Sequence, residues 1–300
     1  MRMGIFGGDT ANRTIDDVVA DARRAETDGF ASYWLPQIFG MDAISVLAIV
    51  GREVPRIELG TAVVPTYPRH PMMLAQQALT TQAAAGGRFV LGIGLSHQIV
   101  IENMLGMSFA KPARHMREYL AILAPLVRTG AVEYDGETLS AHGTVSVADA
   151  TPCPILLAAL APRMLELAGA IGDGTITWMT GPATLADHTI PTITAAARAA
   201  GRPAPRVCTS LPVCVTDDIS GARERAAEEF SVYGMLPSYR AILDREGAAG
   251  PADVAIVGDA ARVKDAVAQL ADIGVTDFAP ALFGSRADRA VTREVLVSLA

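Results

Sequence analysis

The stretch IELGTAVVPTYPRHP (57–71) decides the fold of this chain. Its first half, residues 57–64, is an almost continuous apolar run, as expected for a parallel strand that is covered on both faces. Three prolines then break the run, and the last of them, Pro71, opens a helical pattern that reaches about Ala84. Proline is tolerated at the first position of a helix because its missing N–H has no partner there. The stretch therefore predicts a buried parallel strand that ends abruptly in a loop before a helix.

The same strand–helix unit recurs along the chain. Apolar runs typical of strands lie at 3–7, 31–36, 57–64, 88–94, 154–160, 174–179, 207–215 and 275–282. Helical patterns follow at 14–29, 42–50, 71–84, 112–128, 162–171, 182–200, 218–246, 260–272 and 287–298. Eight such units predict a parallel sheet with right-handed crossovers. Within 300 residues they favour a single (β/α)8 TIM barrel domain over 1–300 with short insertions, such as a β segment at 133–147. A doubly wound open sheet is the alternative.

The composition excludes several classes of protein. The net charge is −7 and no dense Lys/Arg run occurs, so we expect no nucleic-acid partner. Three cysteines without a C-x-x-C pair argue against a disulfide framework. The N-terminus lacks the long apolar region of a signal peptide, and no apolar run is long enough for a membrane span. We therefore expect a cytoplasmic protein with no membrane partner.

Familiar site motifs fail in this chain. GIGLSH (92–97) follows a strand, but the dinucleotide-binding pattern G-x-G-x-x-G needs glycine where His97 stands. The five histidines show no helical i, i+4 pair and no H-E-x-x-H, so no metal site is expected. No G-x-S-x-G elbow supports a serine nucleophile. The glycines after the fourth strand are better explained as room for a flat ligand to approach the backbone.

Eight longer stretches carry a resemblance to a known family, in the family's order along the chain. They are TDGFASYWLPQIFG (27–40), IELGTAVVPTYPRHP (57–71), GGRFVLGIGLSHQ (86–98), KPARHMREYL (111–120), ILLAALAPRMLELAG (155–169), DGTITWMTGP (173–182), LPVCVTDD (211–218) and SYRAILDREG (238–247). On these motifs the chain resembles the bacterial-luciferase-like superfamily, and within it the actinobacterial oxidoreductases that use the deazaflavin coenzyme F420. The resemblance implies an enzyme that transfers a hydride between the deazaflavin C5 and a small organic substrate.

The resemblance also implies where the cofactor binds. In the family, strand three ends in a bulge with a non-proline cis peptide behind the cofactor ring, which corresponds to Ala62–Val63. The cofactor phosphate lies at the turn after strand five, where helix amides and Arg163 can hold an anion. The residues expected to bind the cofactor are Gly7, Gln37, Ala62, Val63, Gly94, Ala159, Ala161, Pro162, Arg163, Trp178 and Thr180. Lys111, Arg114 and His115 are candidates to meet its acidic tail.

The chain departs from the family pattern at two places. Many relatives have an Asp-His pair after strand two, where this chain has Gln37 and Ile38, and a glutamate after strand four, where it has His97. His97 is the candidate catalytic proton donor because histidine titrates near neutral pH. An FMN-dependent luciferase-like monooxygenase and a non-catalytic deazaflavin-binding protein stay open as alternatives. The substrate, the direction of the reaction and the formation of a homodimer also stay open.

Overall fold

The computed structural model describes residues 1–300 and contains fourteen strands. In chain order they are β1 (Arg2–Phe6), β2 (Ser32–Leu35), β3 (Glu58–Thr61), β4 (Val64–Pro65), β5 (Phe89–Gly94), β6 (Ala131–Asp135), β7 (Ser140–Thr144), β8 (Ile155–Leu157), β9 (Gly174–Trp178), β10 (Arg206–Ser210), β11 (Pro212–Val215), β12 (Ile256–Gly258), β13 (Asp277–Phe278) and β14 (Ala281–Leu282).

Thirteen α-helices and two π-helical turns, at Ile99–Met104 and Leu185–Thr189, connect these strands. The helices are α1 (Ile15–Thr27), α2 (Ala43–Glu53), α3 (Pro71–Ala84), α4 (Pro112–Thr129), α5 (Pro162–Ala170), α6 (Pro182–Thr184), α7 (Ile190–Ala199), α8 (Ile219–Glu229), α9 (Ser231–Met235), α10 (Pro237–Glu246), α11 (Pro251–Val254), α12 (Ala260–Asp272) and α13 (Arg286–Val297). None of them is both long and apolar enough to span a membrane.

Eight of the strands close into a parallel barrel. The order is β1, β2, β3, β5, β8, β9, β10 and β13, and β13 pairs with β1 to close the ring. The short strand β4 continues the third strand beyond residues 62–63 and pairs with β5. Helices surround the barrel, and the main apolar core of 66 buried residues lies between strands and helices. The chain is therefore a (β/α)8 TIM barrel, as its strand–helix repeat predicts.

Trp34 fills the middle of the barrel. Its ring is fully buried and packs with Val90, Leu156, Ile176 and other inward-facing side chains in a separate small core. Gly60 makes room for the indole, because a Cβ there would lie 2.3 Å from Trp34 Cε3. The indole Nε1 donates to Ser32 Oγ at 2.8 Å, so its polar atom is satisfied inside the barrel.

An ion cluster lies below Trp34 at the amino ends of the strands, with the Asp277 carboxylate buried and its partners partly exposed. Arg206 donates to Asp277 Oδ1 at 2.6 Å and to Glu58 Oε1 at 2.9 Å. Arg2 also lies on both carboxylates, at 3.2 Å from Glu58 Oε1 and 3.3 Å from Asp277 Oδ1. Two arginines thus meet two carboxylates, and the cluster carries no excess charge.

The seventh and eighth strands correct the expected pattern. The runs 207–215 and 275–282 are each split into two strands, and only β10 and β13 belong to the barrel. Their continuations, β11 and β14, join β12 in a separate three-stranded parallel sheet. The strand β12 lies in residues 218–272, called here the excursion, for which the sequence predicted only helices. The excursion therefore stands on a sheet of its own beside the barrel mouth.

The expected β insertion is present with shifted bounds. β6 and β7 form an antiparallel hairpin in which Tyr134 pairs with Ala141. The Glu118 carboxylate on α4 accepts hydrogen bonds from Thr138 and Leu139 in the hairpin turn. Helix α4 thereby holds the hairpin against the outside of the barrel, away from the strand ends that form the site.

Candidate active site

The carboxyl ends of the strands form an apolar floor. Phe6 ends β1 and Trp178 ends β9, and their rings stack with centroids 5.6 Å apart and 15° between planes. Phe6, Ala62 and Val63 pack against the top of the small core that contains Trp34. An apolar floor at this end of a barrel is where ligands of this fold bind.

The third strand ends as the sequence predicts. The Ala62–Val63 peptide is cis, and β3 stops just before it. Gly94, at the end of β5, faces the same place, since a Cβ on it would lie 2.8 Å from Val63 Cγ2 and 3.2 Å from Ala158 Cβ. The predicted residues Ala62, Val63 and Gly94 are therefore brought together. A side chain at 94 would collide with Val63 and Ala158, so this packing requires glycine.

The first two loops are fixed by their own hydrogen bonds. Gly7 accepts from Arg13 Nη1 at 2.6 Å, and its amide donates to Trp34 O at 2.8 Å. Gln37 Oε1 accepts from the Ala43 amide at 2.7 Å and so supports the start of α2. The backbone of Gly7 is therefore held in place by two hydrogen bonds. The Gln37 side chain can offer a ligand only its amide nitrogen, because its oxygen already accepts from Ala43.

His97 lies at the mouth, half-buried after β5. Its ring is 5.8 Å from the Tyr239 ring on α10, tilted by 48°. Tyr239 in turn packs edge-on against Tyr233 with centroids 5.0 Å apart. Burial lowers the pKa of His97. The imidazole is therefore mainly neutral at pH 7, and its protonated form is favoured only on the acid side.

The turn after β8 offers free donors. The backbone amides of Ala159, Leu160 and Ala161 make no hydrogen bond to the protein, although Ala159 is fully buried. Pro162 opens α5, and Arg163 follows it, exposed and without an ion pair among its neighbours. Free amides at a helix start next to an unpaired guanidinium are suited to an anion such as a phosphate.

The loop after β9 is tied to the excursion. The Glu246 carboxylate on α10 accepts from the amides of Ala183 and Thr184 at 3.1 and 2.7 Å. Thr180 is buried, and its hydroxyl donates to the Trp178 carbonyl at 3.3 Å. The hydrogen bonds to Glu246 hold α10, and with it Tyr239, in place relative to Trp178. The Thr180 hydroxyl bonds within the loop after β9.

Two further polar groups at this end escaped sequence reasoning. Ser210, at the end of β10, is 2% exposed, and its hydroxyl has no hydrogen-bond partner. Tyr67, in the loop after β4, has an equally unpartnered and buried hydroxyl. The Trp178 Nε1 is a third such atom. The sequence did contain a hint that Ser210 is functional, because it is a polar residue inside the apolar run 207–215.

His115, a candidate to meet the acidic tail, lies in the interior of the structure. Its ring is buried, stacks on the Tyr67 ring at 4.0 Å between centroids, and lies 3.0 Å from Thr66 Oγ1. Burial lowers the pKa of His115 to about 4 and raises that of Tyr67 to about 12. His115 is therefore neutral and cannot offer a positive charge to an acidic tail. It supports the loop that follows the cis peptide.

A cavity of about 350 Å³ opens at the opposite end of the barrel, lined in part by Arg128, Arg202 and Arg206. Asp173 accepts from Arg128 at 3.1 Å and from Arg202 at 2.7 Å. The amino-terminal face of this fold serves stability, and these arginines already have partners. No cluster of three or more histidine, cysteine or acidic side chains that could hold a metal occurs in the structure.

Comparisons with known proteins agree with this geometry. The pattern of the family described as luciferase-like monooxygenase matches residues 2–277. A 5,10-methylenetetrahydromethanopterin reductase from Methanolobus tindarius is 29% identical over 241 residues, which are 80% of this chain and 73% of the relative.

Two solved structures share the whole fold. The coenzyme F420-dependent tetrahydromethanopterin reductase from Methanopyrus kandleri superposes with a TM-score of 0.79 at 22% identity, over 99% of this chain and 98% of the other. A type II Baeyer-Villiger monooxygenase component from Pseudomonas putida, in complex with FMN, gives 0.75 at 17% identity, over 99% and 96%. The chain therefore shares its fold with a protein named as F420-dependent and with one solved in complex with FMN.

Proposed function

Since the chain belongs to the luciferase-like monooxygenase family, we propose that it is an oxidoreductase that uses coenzyme F420 on a small organic substrate. The proposal rests on one observation: an apolar floor lies next to a group of free donors that can bind an anion. Phe6, the 62–63 peptide and Trp178 offer a surface for a flat ring. The free amides of residues 159–161 and Arg163 lie on the neighbouring turn, where the phosphate of such a cofactor can be held.

The residues present fit a deazaflavin nucleotide. Gly94 lets the side chains of Val63 and Ala158 pack against the end of β5, and the Trp178 Nε1 and Ser210 Oγ offer donors beside the floor. When bound, the deazaflavin supplies the redox chemistry, a hydride exchanged with the substrate. The chain binds and orients the ring, excludes water with the aromatic side chains of α9 and α10, and places His97 at the mouth.

His97 is the residue that we assign to proton transfer. It is the titratable side chain that follows β5, it is half-buried, and its imidazole makes no hydrogen bond to the protein. A proton donor must reach the substrate rather than a protein partner. Because burial lowers its pKa, the acid form that donates a proton is populated mainly below the ordinary histidine pKa of about 6.5.

The test is a pair of titrations of the purified chain, one with F420 and one with FMN, followed by ligand fluorescence. We expect saturable binding of F420 and much weaker binding of FMN. Preferential FMN binding, with oxygen uptake during turnover, would replace the proposal with the FMN-dependent monooxygenase function. Binding of F420 without turnover of any acceptor in a panel of carbonyl, imine and activated alkene compounds would leave a deazaflavin-binding protein.

A further inference from the structure

The carboxyl ends of β9 and β10 carry two side chains in register whose polar atoms are buried. Trp178 and Ser210 are direct partners in the parallel ladder between the two strands. Side chains of residues in register on adjacent strands point to the same side of a sheet. The residues two positions earlier, Ile176 and Cys208, both pack inside the barrel with Trp34. Trp178 and Ser210 therefore both face the inside of the barrel, at its upper end.

Neither side chain has a partner for its polar atom. The Ser210 Oγ and the Trp178 Nε1 are buried and have no partner within hydrogen-bond distance, although the Tyr233 hydroxyl lies near the indole N–H. The groups below them are apolar, since Ile176 and the fully buried Cys208 offer no strong acceptor. The hydroxyls one residue earlier are paired, in contrast. Thr177 Oγ1 and Thr209 Oγ1 lie 2.7 Å apart on the other face of the same strands.

Leaving a buried donor unpaired destabilises the folded protein. Two such donors on neighbouring strands, both at the ligand end of the barrel, mark a place that a ligand completes. The indole N–H can only donate, and a serine hydroxyl can donate as well. The matching ligand atom accepts two hydrogen bonds at once and is uncharged, because the surrounding floor is apolar. A carbonyl oxygen has both properties.

We propose that Trp178 Nε1 and Ser210 Oγ together bind a carbonyl oxygen at the floor of the pocket. This inference rests on the proposed function, because two carbonyl compounds enter such a site. One source is the pyrimidinedione ring of the cofactor, and the other is the carbonyl group of the substrate. Donors held in advance at a carbonyl oxygen stabilise negative charge that develops on it.

The experiment compares Ser210→Ala with Thr209→Val, a matched change of the neighbouring hydroxyl. Thermal unfolding without ligand is measured first. Ser210→Ala is expected to leave the melting temperature unchanged or to raise it, because it removes a buried hydroxyl that has no partner. Thr209→Val is expected to lower it, because Thr177 then loses its partner. A large loss of stability in Ser210→Ala would show that the hydroxyl serves the fold, and would overturn the inference.

Ligand measurements then separate the two sources. If the cofactor carbonyl is bound, Ser210→Ala raises the Kd for F420 about tenfold, the loss expected for one hydrogen bond to a buried acceptor. If the substrate carbonyl is bound, the Kd for F420 is unchanged and kcat/KM for a carbonyl substrate falls about tenfold. Thr209→Val changes neither value. Unchanged values for both in Ser210→Ala would overturn the inference.

Failure of the proposed function is recognised separately in the wild-type chain. If that chain binds FMN instead of F420, the cofactor assignment fails, while the same two variants titrated with FMN, which has the same pyrimidinedione ring, still test the carbonyl site. If it binds F420 normally and Ser210→Ala behaves like wild type throughout, the function stands and the carbonyl site fails.

Discussion

The two ends of the barrel treat buried polar groups in opposite ways. At the amino end, Arg206, Asp277, Glu58 and Arg2 satisfy one another over 2.6–3.3 Å. At the carboxyl end, the polar atoms of Ser210, Trp178 and Tyr67 are buried with no partner within hydrogen-bond distance. The polar groups at the amino end are therefore already paired in the folded protein. At the carboxyl end, hydrogen-bond donors remain free to bind a ligand.

His97→Gln gives the largest effect and concerns the carboxyl end alone. Glutamine keeps a hydrogen-bond donor but loses the acid, so we expect kcat to fall about 10²–10⁴-fold. In the wild type, kcat should fall as pH rises through the His97 pKa, which burial lowers. The variant should lose that pH dependence while its F420 affinity and unfolding free energy stay near the wild-type values. A variant with unaltered turnover and pH profile would remove His97 from the mechanism.

Asp277→Asn breaks the amino end. The substitution removes the charge of the buried Asp277 carboxylate, and because Arg206 is partly exposed and keeps Glu58, we expect a loss below the roughly 3–5 kcal/mol of a fully buried pair. Urea unfolding measures the loss. The exposed Asp272 on α12 provides the matched control, since Asp272→Asn should change stability by less than about 0.5 kcal/mol. If Asp277→Asn weakened F420 binding without loss of stability, the contrast between the two ends would be wrong.

His115 predicts a stability change with pH at the carboxyl end. Its folded-state pKa is about 4, below the ordinary value of about 6.5 in the unfolded chain. Between these values the unfolded chain binds a proton that the folded chain does not, so stability is lost as pH falls from about 6.5 to about 4. The loss from this group is about 3 kcal/mol at most.

Unfolding free energies measured across this pH range test the prediction. His115→Gln cannot titrate, so its stability should fall less steeply than that of the wild type between the two pH values. Parallel curves for the two proteins would show that the His115 ring is protonated in the folded state.

Arg163→Ala gives the smallest effect. Arg163 is exposed and unpaired in the structure, so its loss should leave the unfolding free energy unchanged. If it holds the phosphate, F420 affinity should fall by about 1.5–3 kcal/mol. Arg198→Ala, which removes another exposed arginine from α7, is the control and should bind normally. Equal affinity for Arg163→Ala and wild type would make Arg163 a surface charge only.

Much of the fold could be predicted because local rules act within each unit. Thr14 caps α1, Asp42 caps α2, and α3 spans Pro71–Ala84, as side-chain capping and proline placement indicate. The division of the last two strands could not be predicted. The run 207–215 is continuously apolar, and hydrophobicity does not say which sheet a strand joins.

The part of the candidate site that could be predicted is formed by the backbone at the end of the third strand. The cis peptide at Ala62–Val63 was expected from the resemblance and is present at the floor, whereas the room expected at Gly94 is filled by the side chains of Val63 and Ala158. Side chains that pair across the fold were harder to predict. Sequence alone does not show that His115 is buried against Tyr67, or that Ser210 has no partner while Thr209 has one. Such differences depend on contacts between distant segments.

The two tryptophans give this protein an optical label at each level of the barrel. Trp34 is sealed inside with its N–H bonded to Ser32, so its emission should be blue-shifted and insensitive to anything at the mouth. Trp178 is half-buried at the floor, among Phe6 and Tyr233, and should respond when a ligand covers it. These are the only two tryptophans in the sequence. Trp178→Phe would therefore leave a signal that reports unfolding alone, and the difference spectrum would report occupancy of the floor.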